Sequence, residues 1–334
     1  MRPSFHPRLI NGPFDDPGLL VTMPFRKRAL LFDLGDLRAL PPKDTLKIDH
    51  VYVSHTHMDH FIGFDQLLRA LLGRDKTLSL YGPHGFLNNL TGKLNAYTWN
   101  LVHNYTAAVR IHAIEISGQK ATAQTFDCHN GFEPSQRRTY PIHGAVVHQE
   151  PIFSVTAAQL DHQIPSLAYS LQESRHVNIL KTELDKLGLA VGPWITSFKN
   201  LIHTNADPDT PIFVPNVFDK VPNTQPYTLK ELSGRVARIT QGQKIAYVAD
   251  VVYNSSNIDK IATLAHGADH LFIEAAFLHA EKRIAAAKFH LTAHQAGAIA
   301  RRAQVKQMSI FHHSPRYAGQ AHLLEQEARA AFES

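Results

Sequence analysis

Apolar residues along this chain fall into short runs separated by turn formers, and their spacing alternates between strand-like and helix-like periods. Residues 19–22 and 29–33 read as two short strands joined across the basic Arg26-Lys27-Arg28 turn, which predicts a hairpin. Residues 47–54 read as a buried strand. After it Phe61, Phe64, Leu67, Leu68, Leu71 and Leu72 keep helical spacing, with Gly73 placed to stop the helix. A strand over 77–81 and the Gly82-Pro83 turn follow, then alternating stretches at 109–116 and 121–126. Further on, 152–160 reads as a strand, and 163–169 leads into another.

Residues 173–205 leave the alternating pattern. A short helix over 178–188 is expected there, and the stretch reads either as an arm or flap over a site or as an ordinary surface helix and loop. Residues 207–226 are proline-rich and expected to be irregular. Residues 232–239 and 244–250 read as a hairpin around Gln241-Gly242-Gln243. A strand over 270–274, a helix from the N-cap Thr292 to residue 302, a last strand at 307–311 and an amphipathic helix over 323–332 complete the chain. Strand alternating with helix predicts an α/β class. The expectation is one domain over residues 1–334 carrying a short arm around 173–205, with no internal repeat.

Chemistry concentrates where the strands end. Ser54-His55-Thr56-His57-Met58-Asp59-His60 follows the 47–54 strand directly, and imidazole with carboxylate suits zinc and similar divalent metals. His55 and His57 are two apart, so on extended backbone they face one side. Asp59 and His60 follow as the chain turns, and can address a second metal beside the first. His162 leaves the end of the 152–160 strand and Asp250 the end of the 244–250 strand, where a carboxylate can bridge two metals. Glu274 closes another strand and reads as a carboxylate that orients a histidine or as a salt-bridge partner. His290 lies just before the Thr292 helix, and His312-His313 follow the last strand. His129, His143 and His148 have no ligand spacing and read as structural or surface residues.

Composition adds limits. The chain has 334 residues, 44% of them hydrophobic and 19% charged, as in an ordinary globular protein with a full core. Its single cysteine, Cys128, excludes an internal disulfide. There is no apolar run of signal-peptide or membrane-span length, so a cytoplasmic location without membrane association is the expectation. A net charge of +5 is compatible with a polyanionic substrate without requiring one, and 22 histidines are far more than a metal pair can use.

The His-x-His-x-Asp-His string resembles the signature of the metallo-β-lactamase superfamily. Asp161-His162-Gln163-Ile164-Pro165-Ser166-Leu167-Ala168-Tyr169, Ile273-Glu274-Ala275-Ala276-Phe277, His290-Leu291-Thr292 and His312-His313-Ser314-Pro315-Arg316-Tyr317 resemble the ribonuclease Z branch, which trims the 3′ end of precursor tRNA. The resemblance implies an αββα four-layer sandwich, two mixed sheets between helices with two metal ions at one edge. It implies His55, His57 and His162 on one metal, Asp59, His60 and His312 on the other, and Asp250 between them. Zinc is the metal expected, with manganese or iron also compatible with such ligands. Asp59 would orient the nucleophile, His290 would donate a proton near the scissile phosphate, and Arg316 would position phosphate or serve in a structural ion pair. Precursor tRNA as substrate and a homodimer are likewise implied. Met58, where the family commonly has glycine, and the short arm leave open an alternative substrate, a small phosphodiester such as a cyclic nucleotide or another ester. A binding protein without hydrolytic activity is the reading from another class, and the intact ligand set opposes it.

Overall fold

The computed structural model describes residues 3–214 and 226–334. Residues 215–225 of the proline-rich stretch therefore lie outside the described residues. Chain contacts divide the protein into two compact units, the smaller made chiefly of His148–Ser154 and Gln172–Gln243, the larger of Phe5–Val147, Val155–Leu171 and Lys244–Ser334.

In the larger unit eight strands pair in chain order: His6–Leu9, Leu19–Met23, Arg28–Phe32, Ile48–Tyr52, Lys76–Pro83, Val109–Ser117, Lys120–Asp127 and Arg138–Pro141. The hairpin of Leu19–Met23 with Arg28–Phe32 is present. From Arg28–Phe32 to Val109–Ser117 the pairings are parallel; Ala29–Phe32 and Leu80–Pro83 are buried throughout, whereas Val109–Ser117 alternates buried apolar residues with exposed Arg110 and His112. A second sheet runs in the order Met308–Phe311, His270–Glu274, Lys244–Val248, Pro165–Glu173, Phe153–Asp161, Val146–Gln149. The first three of these are mutually parallel, so Glu274, Asp250 and His312 all emerge at one edge.

Four layers follow from which faces are apolar. Helices Phe64–Leu71 and Phe86–Asn95 bury Leu67, Leu68, Leu71, Phe86 and Leu90 on the outer face of the first sheet. Helices Ser255–Ala265, Ala293–Arg302 and Ala321–Glu333 bury Ile261, Ala296, Ile299, Leu324 and Ala328 on the second. Between the sheets Phe32 and Tyr52 of the first pack on Tyr169 and Tyr247 of the second, at ring separations of 5.4–6.0 Å. This is the αββα order expected.

Three local expectations change. The helix expected from Phe61 to Leu72 is a single turn, Met58–Phe61, followed by Phe64–Leu71. The break has a cause: Leu34 donates to the His60 carbonyl at 2.9 Å and accepts from the Gly63 amide at 2.8 Å, pinning the turn to the end of the preceding hairpin. Helix Phe86–Asn95 was not foreseen, because asparagines and a glycine interrupt the apolar face that Phe86, Leu87, Leu90 and Leu94 make.

The third change lies in the smaller unit. Residues 232–239 do not form a hairpin with 244–250: Leu229–Val236 is a helix, and Ala237–Thr240 pairs antiparallel with His176–Ile179. Thr228 and Glu231 form a capping box, and Leu229, Leu232 and Val236 then share the buried helical face. The short helix of the 173–205 stretch is Lys181–Lys186, and the unit containing it runs on to Gln243, with Leu184, Phe198, Leu232 and Val236 in its core.

Gly63 sits where the metal-motif turn crosses the end of the first hairpin, and a Cβ there would lie 2.0 Å from the Gly35 carbonyl oxygen and 2.9 Å from Leu37 Cγ. Gly63→Ala is expected to destabilise the fold by about 1–3 kcal/mol, read as a lower midpoint in denaturant at unchanged slope. A wild-type midpoint would refute this packing.

Candidate metal centre

Each residue singled out in the 55–60 string lands at the same edge of the larger unit as the strand-end groups. Ligand atoms of His55, His57, His162 and Asp250 lie within 4.8 Å of one another, as do those of Asp59, His60 and His312, and those of Asp250, Glu274, His290 and His312. Asp250 links the two halves. Its Oδ2 is 3.9 Å from His55 Nε2 and 3.6 Å from His162 Nε2, whereas its Oδ1 is 3.5 Å from His60 Nε2 and 2.7 Å from His312 Nδ1. The two oxygens of one carboxylate thus face two different sets of imidazoles.

The fold selects which imidazole nitrogen faces inward. Ser54 Oγ donates to Asp33 at 2.8 Å and accepts from His55 Nδ1 at 3.0 Å. His60 Nδ1 donates to Asp33 Oδ2 at 2.9 Å, and His162 Nδ1 to the Phe289 carbonyl at 2.9 Å. In all three the Nδ1 proton is occupied, which leaves Nε2 as the lone-pair nitrogen, as a metal ligand requires. His55 Nε2 and His60 Nε2 are buried and make no hydrogen bond. Buried polar atoms left without partners cost about 1–3 kcal/mol each, and a cation among them removes that cost. The donor set of imidazoles and carboxylates fits divalent metal ions of the zinc type.

Charge in the bare protein is balanced by protons. Burial opposes the His60 imidazolium, but Asp250 and Asp33 on either side outweigh it and hold the pKa up to about 10. His312 is raised in the same way by Asp250 and Asp59 against its burial. Asp250 and Asp59 are held below the usual carboxylate range by these imidazoles, in spite of desolvation. His55 goes the other way, to about 2, because burial and neighbouring imidazoles disfavour its charge. A divalent ion held by these residues would take the place of those protons.

His290 stands beside the centre with its Nδ1 3.2 Å from both Glu274 oxygens, and Glu274 also accepts the Val251 amide at 3.0 Å. Burial lowers the His290 pKa, yet the Glu274 carboxylate and then Asp250 reverse this and raise it above the ordinary histidine value. Glu274 thus pairs with His290 in the same group as Asp250 and His312. Arg316 is not in the cluster: its guanidinium donates to Glu281 at 2.6 Å and lies over the Phe277 ring. Among the histidines set aside, His129 bonds the Tyr105 carbonyl and His148 pairs with Glu150.

Sequence reasoning missed Asp33 and Asn257. Asp33, fully buried, receives the Ser54 amide at 2.6 Å and the Tyr247 hydroxyl at 2.8 Å besides Ser54 Oγ and His60. It closes an apolar strand as Asp250 does, and that signal was available. The Asn257 carboxamide donates to the carbonyls of Asp161 and Val252 at 2.9 and 2.8 Å, tying the loop of His162 to that of Asp250. Nothing local in the sequence marks that asparagine.

Comparison with known proteins agrees with the geometry. A family model described as the β-lactamase superfamily domain matches residues 28–176. The ribonuclease Z of Deinococcus radiodurans is 30% identical over 316 residues, covering 92% of this chain and 90% of that protein. The ribonuclease Z of Porphyromonas gingivalis strain W83 is 29% identical, covering 86% and 78%. Among solved structures, the metallo-β-lactamase fold protein YhfI of Bacillus subtilis superposes with TM-score 0.54 at 17% identity, covering 98% of this chain and 95% of that one. The short form of human tRNase Z superposes with TM-score 0.51 at 16% identity, covering 94% and 93%.

Asp33→Asn keeps the side chain's shape but removes the charge opposite His60. It is expected to weaken metal binding by about 10–100-fold in titration with zinc, with the circular dichroism of the wild type retained. Unaltered affinity would show that Asp33 supports only the backbone.

Proposed function

Because the chain belongs to the ribonuclease Z family of metal-dependent hydrolases with the metallo-β-lactamase fold, we propose that it cleaves precursor tRNA endonucleolytically at the 3′ end, using two metal ions held by His55, His57 and His162 on one side and Asp59, His60 and His312 on the other. The observation that carries this reading is Asp250, whose two oxygens address the two imidazole sets separately. Zinc is the metal the ligands suit best, with manganese or iron as alternatives. A homodimer in the cytoplasm completes the reading, and among the described residues no helix is long and apolar enough to cross a membrane.

Two divalent ions at these ligands would supply positive charge for the phosphoryl oxygens and make water a nucleophile near neutral pH. The chain's own groups do the rest. Asp59, whose side chain is 40% exposed, has a carboxylate open to incoming water and can orient it. His290 carries a proton that Glu274 and Asp250 stabilise, and can pass it to the leaving oxygen as the phosphorus–oxygen bond breaks. Buried ligands around Asp250 exclude bulk water from the inner side, which strengthens every charge interaction there. The small-diester alternative lacks comparable support, since the curated relatives that cover the chain almost end to end are named ribonuclease Z.

Zinc-loaded protein is expected to remove the 3′ trailer from a precursor tRNA at a single position. Asp250→Ala should lose metal and activity together. His290→Ala should keep both metals and lose roughly 10²–10⁴-fold in kcat. Full activity of metal-free Asp250→Ala, or hydrolysis of a small chromogenic diester with no tRNA cleavage, would overturn the reading.

A further inference from the structure

Phe289 occupies a backbone position that a bulky side chain normally avoids. The helix Lys282–Ala287 ends in a Schellman arrangement, with the His290 amide bonding the Ala285 carbonyl at 3.0 Å and the Phe289 amide bonding that of Ala286 at 3.2 Å. The residue between them must be left-handed, and Phe289 has φ +63°. Glycine is the residue this place favours, and a phenylalanine there is a conformational outlier. The backbone conformation explains the carbonyl, which receives His162 Nδ1, but glycine would present the same carbonyl. The residue is not wholly buried. Phe289 is 37% exposed, and its ring stands edge-on to that of His162, centroids 6.4 Å apart. An aromatic ring thus stands beside the candidate metal centre, between His162 and His290, the residue next in chain. The same segment exposes Lys282, Arg283 and Lys288.

The geometry points to Phe289 as a stacking platform for the base of the nucleotide that keeps the leaving oxygen. This rests on the phosphodiester reading above. When water adds to phosphorus and the opposite phosphorus–oxygen bond breaks, the leaving oxygen takes its proton from His290, so the leaving nucleotide lies on the His290 side and its base is the one nearest Phe289. Every base offers a π face, so such a platform favours an unpaired nucleotide at the cleavage position without demanding a particular base, and the neighbouring cations match its flanking phosphates.

The test compares kcat/KM for a precursor tRNA with an intact base and for the same RNA with an abasic leaving nucleotide. In wild-type holoenzyme the abasic substrate is expected to lose roughly five- to a hundredfold, the range of a base–aromatic stack. In Phe289→Ala that ratio should collapse towards one, and in Phe289→Trp it should be kept or enlarged. A ratio unchanged by Phe289→Ala would overturn the platform while leaving tRNA cleavage intact. Failure of the wild-type holoenzyme to cleave the intact precursor would overturn the substrate reading, and the platform with it. Because each variant is scored by its own ratio, a general loss of activity does not imitate the effect.

Discussion

The arrangement turns on one buried carboxylate. Asp33 accepts from the Ser54 amide, the Ser54 hydroxyl, the Tyr247 hydroxyl and His60 Nδ1. Tyr247 belongs to the second sheet, Asp33 and Ser54 to strand ends of the first, and His60 to the turn that follows. A carboxylate with no exposure needs its lone pairs filled by hydrogen bonds. Here the filling groups are those that must be fixed for the metal centre to exist. Asp33 itself is left-handed, φ +59°, a conformation aspartate tolerates better than most residues, and this turns its side chain back under the motif. Joining the sheets and choosing the histidine tautomer are therefore one interaction.

From that anchor the ligands acquire their direction by relay. Ser54 passes the constraint from Asp33 to His55, and Asn257 ties the His162 and Asp250 loops together through two carbonyls. His312 reaches the site from a residue at φ +62°, with Ala275 donating to the Phe311 carbonyl just before it. None of these relays involves a long flexible side chain. Histidine, serine and asparagine lose little rotamer freedom when fixed, so the centre is held rigidly in advance of any metal. The imidazolium protons on His60 and His312 keep the carboxylates compatible with burial in the meantime.

What could be read in the sequence follows from this division. His55, His57, Asp59 and His60 announce themselves because one turn carries all four, and His162, Asp250, Glu274 and His312 because each closes an apolar strand. Parallel strands bring such closing residues to one edge, and the structure gathers these side chains there as candidate ligands. Where two periods competed, local reading failed. Residues 232–239 carry enough β-branched and apolar character to read as a strand, yet the Thr228–Glu231 capping box starts a helix there instead, and the strand partner His176–Ile179 lies about sixty residues away in sequence. Asn257 was illegible for a related reason: its two acceptors come from loops far apart in the chain, and no spacing rule connects them.

Arg316 shows a different limit. Its motif, His312-His313-Ser314-Pro315-Arg316-Tyr317, was legible as a unit, but a motif does not say which of its members face the chemistry. In the structure Arg316 and Tyr317 both engage Glu281, and the Tyr317 hydroxyl also accepts the Leu278 amide. Glu281 begins the segment that ends in Phe289 and His290. The motif therefore sends its first histidine to the cluster around Asp250 and its last two residues to the base of the element that ends at His290. The segment is held at Glu281 by Arg316 and Tyr317 and at His290 by Glu274, with His290 Nδ1 3.8 Å from Asp250 Oδ2. The Arg316 guanidinium is thus committed to Glu281, at the start of the segment that ends in His290.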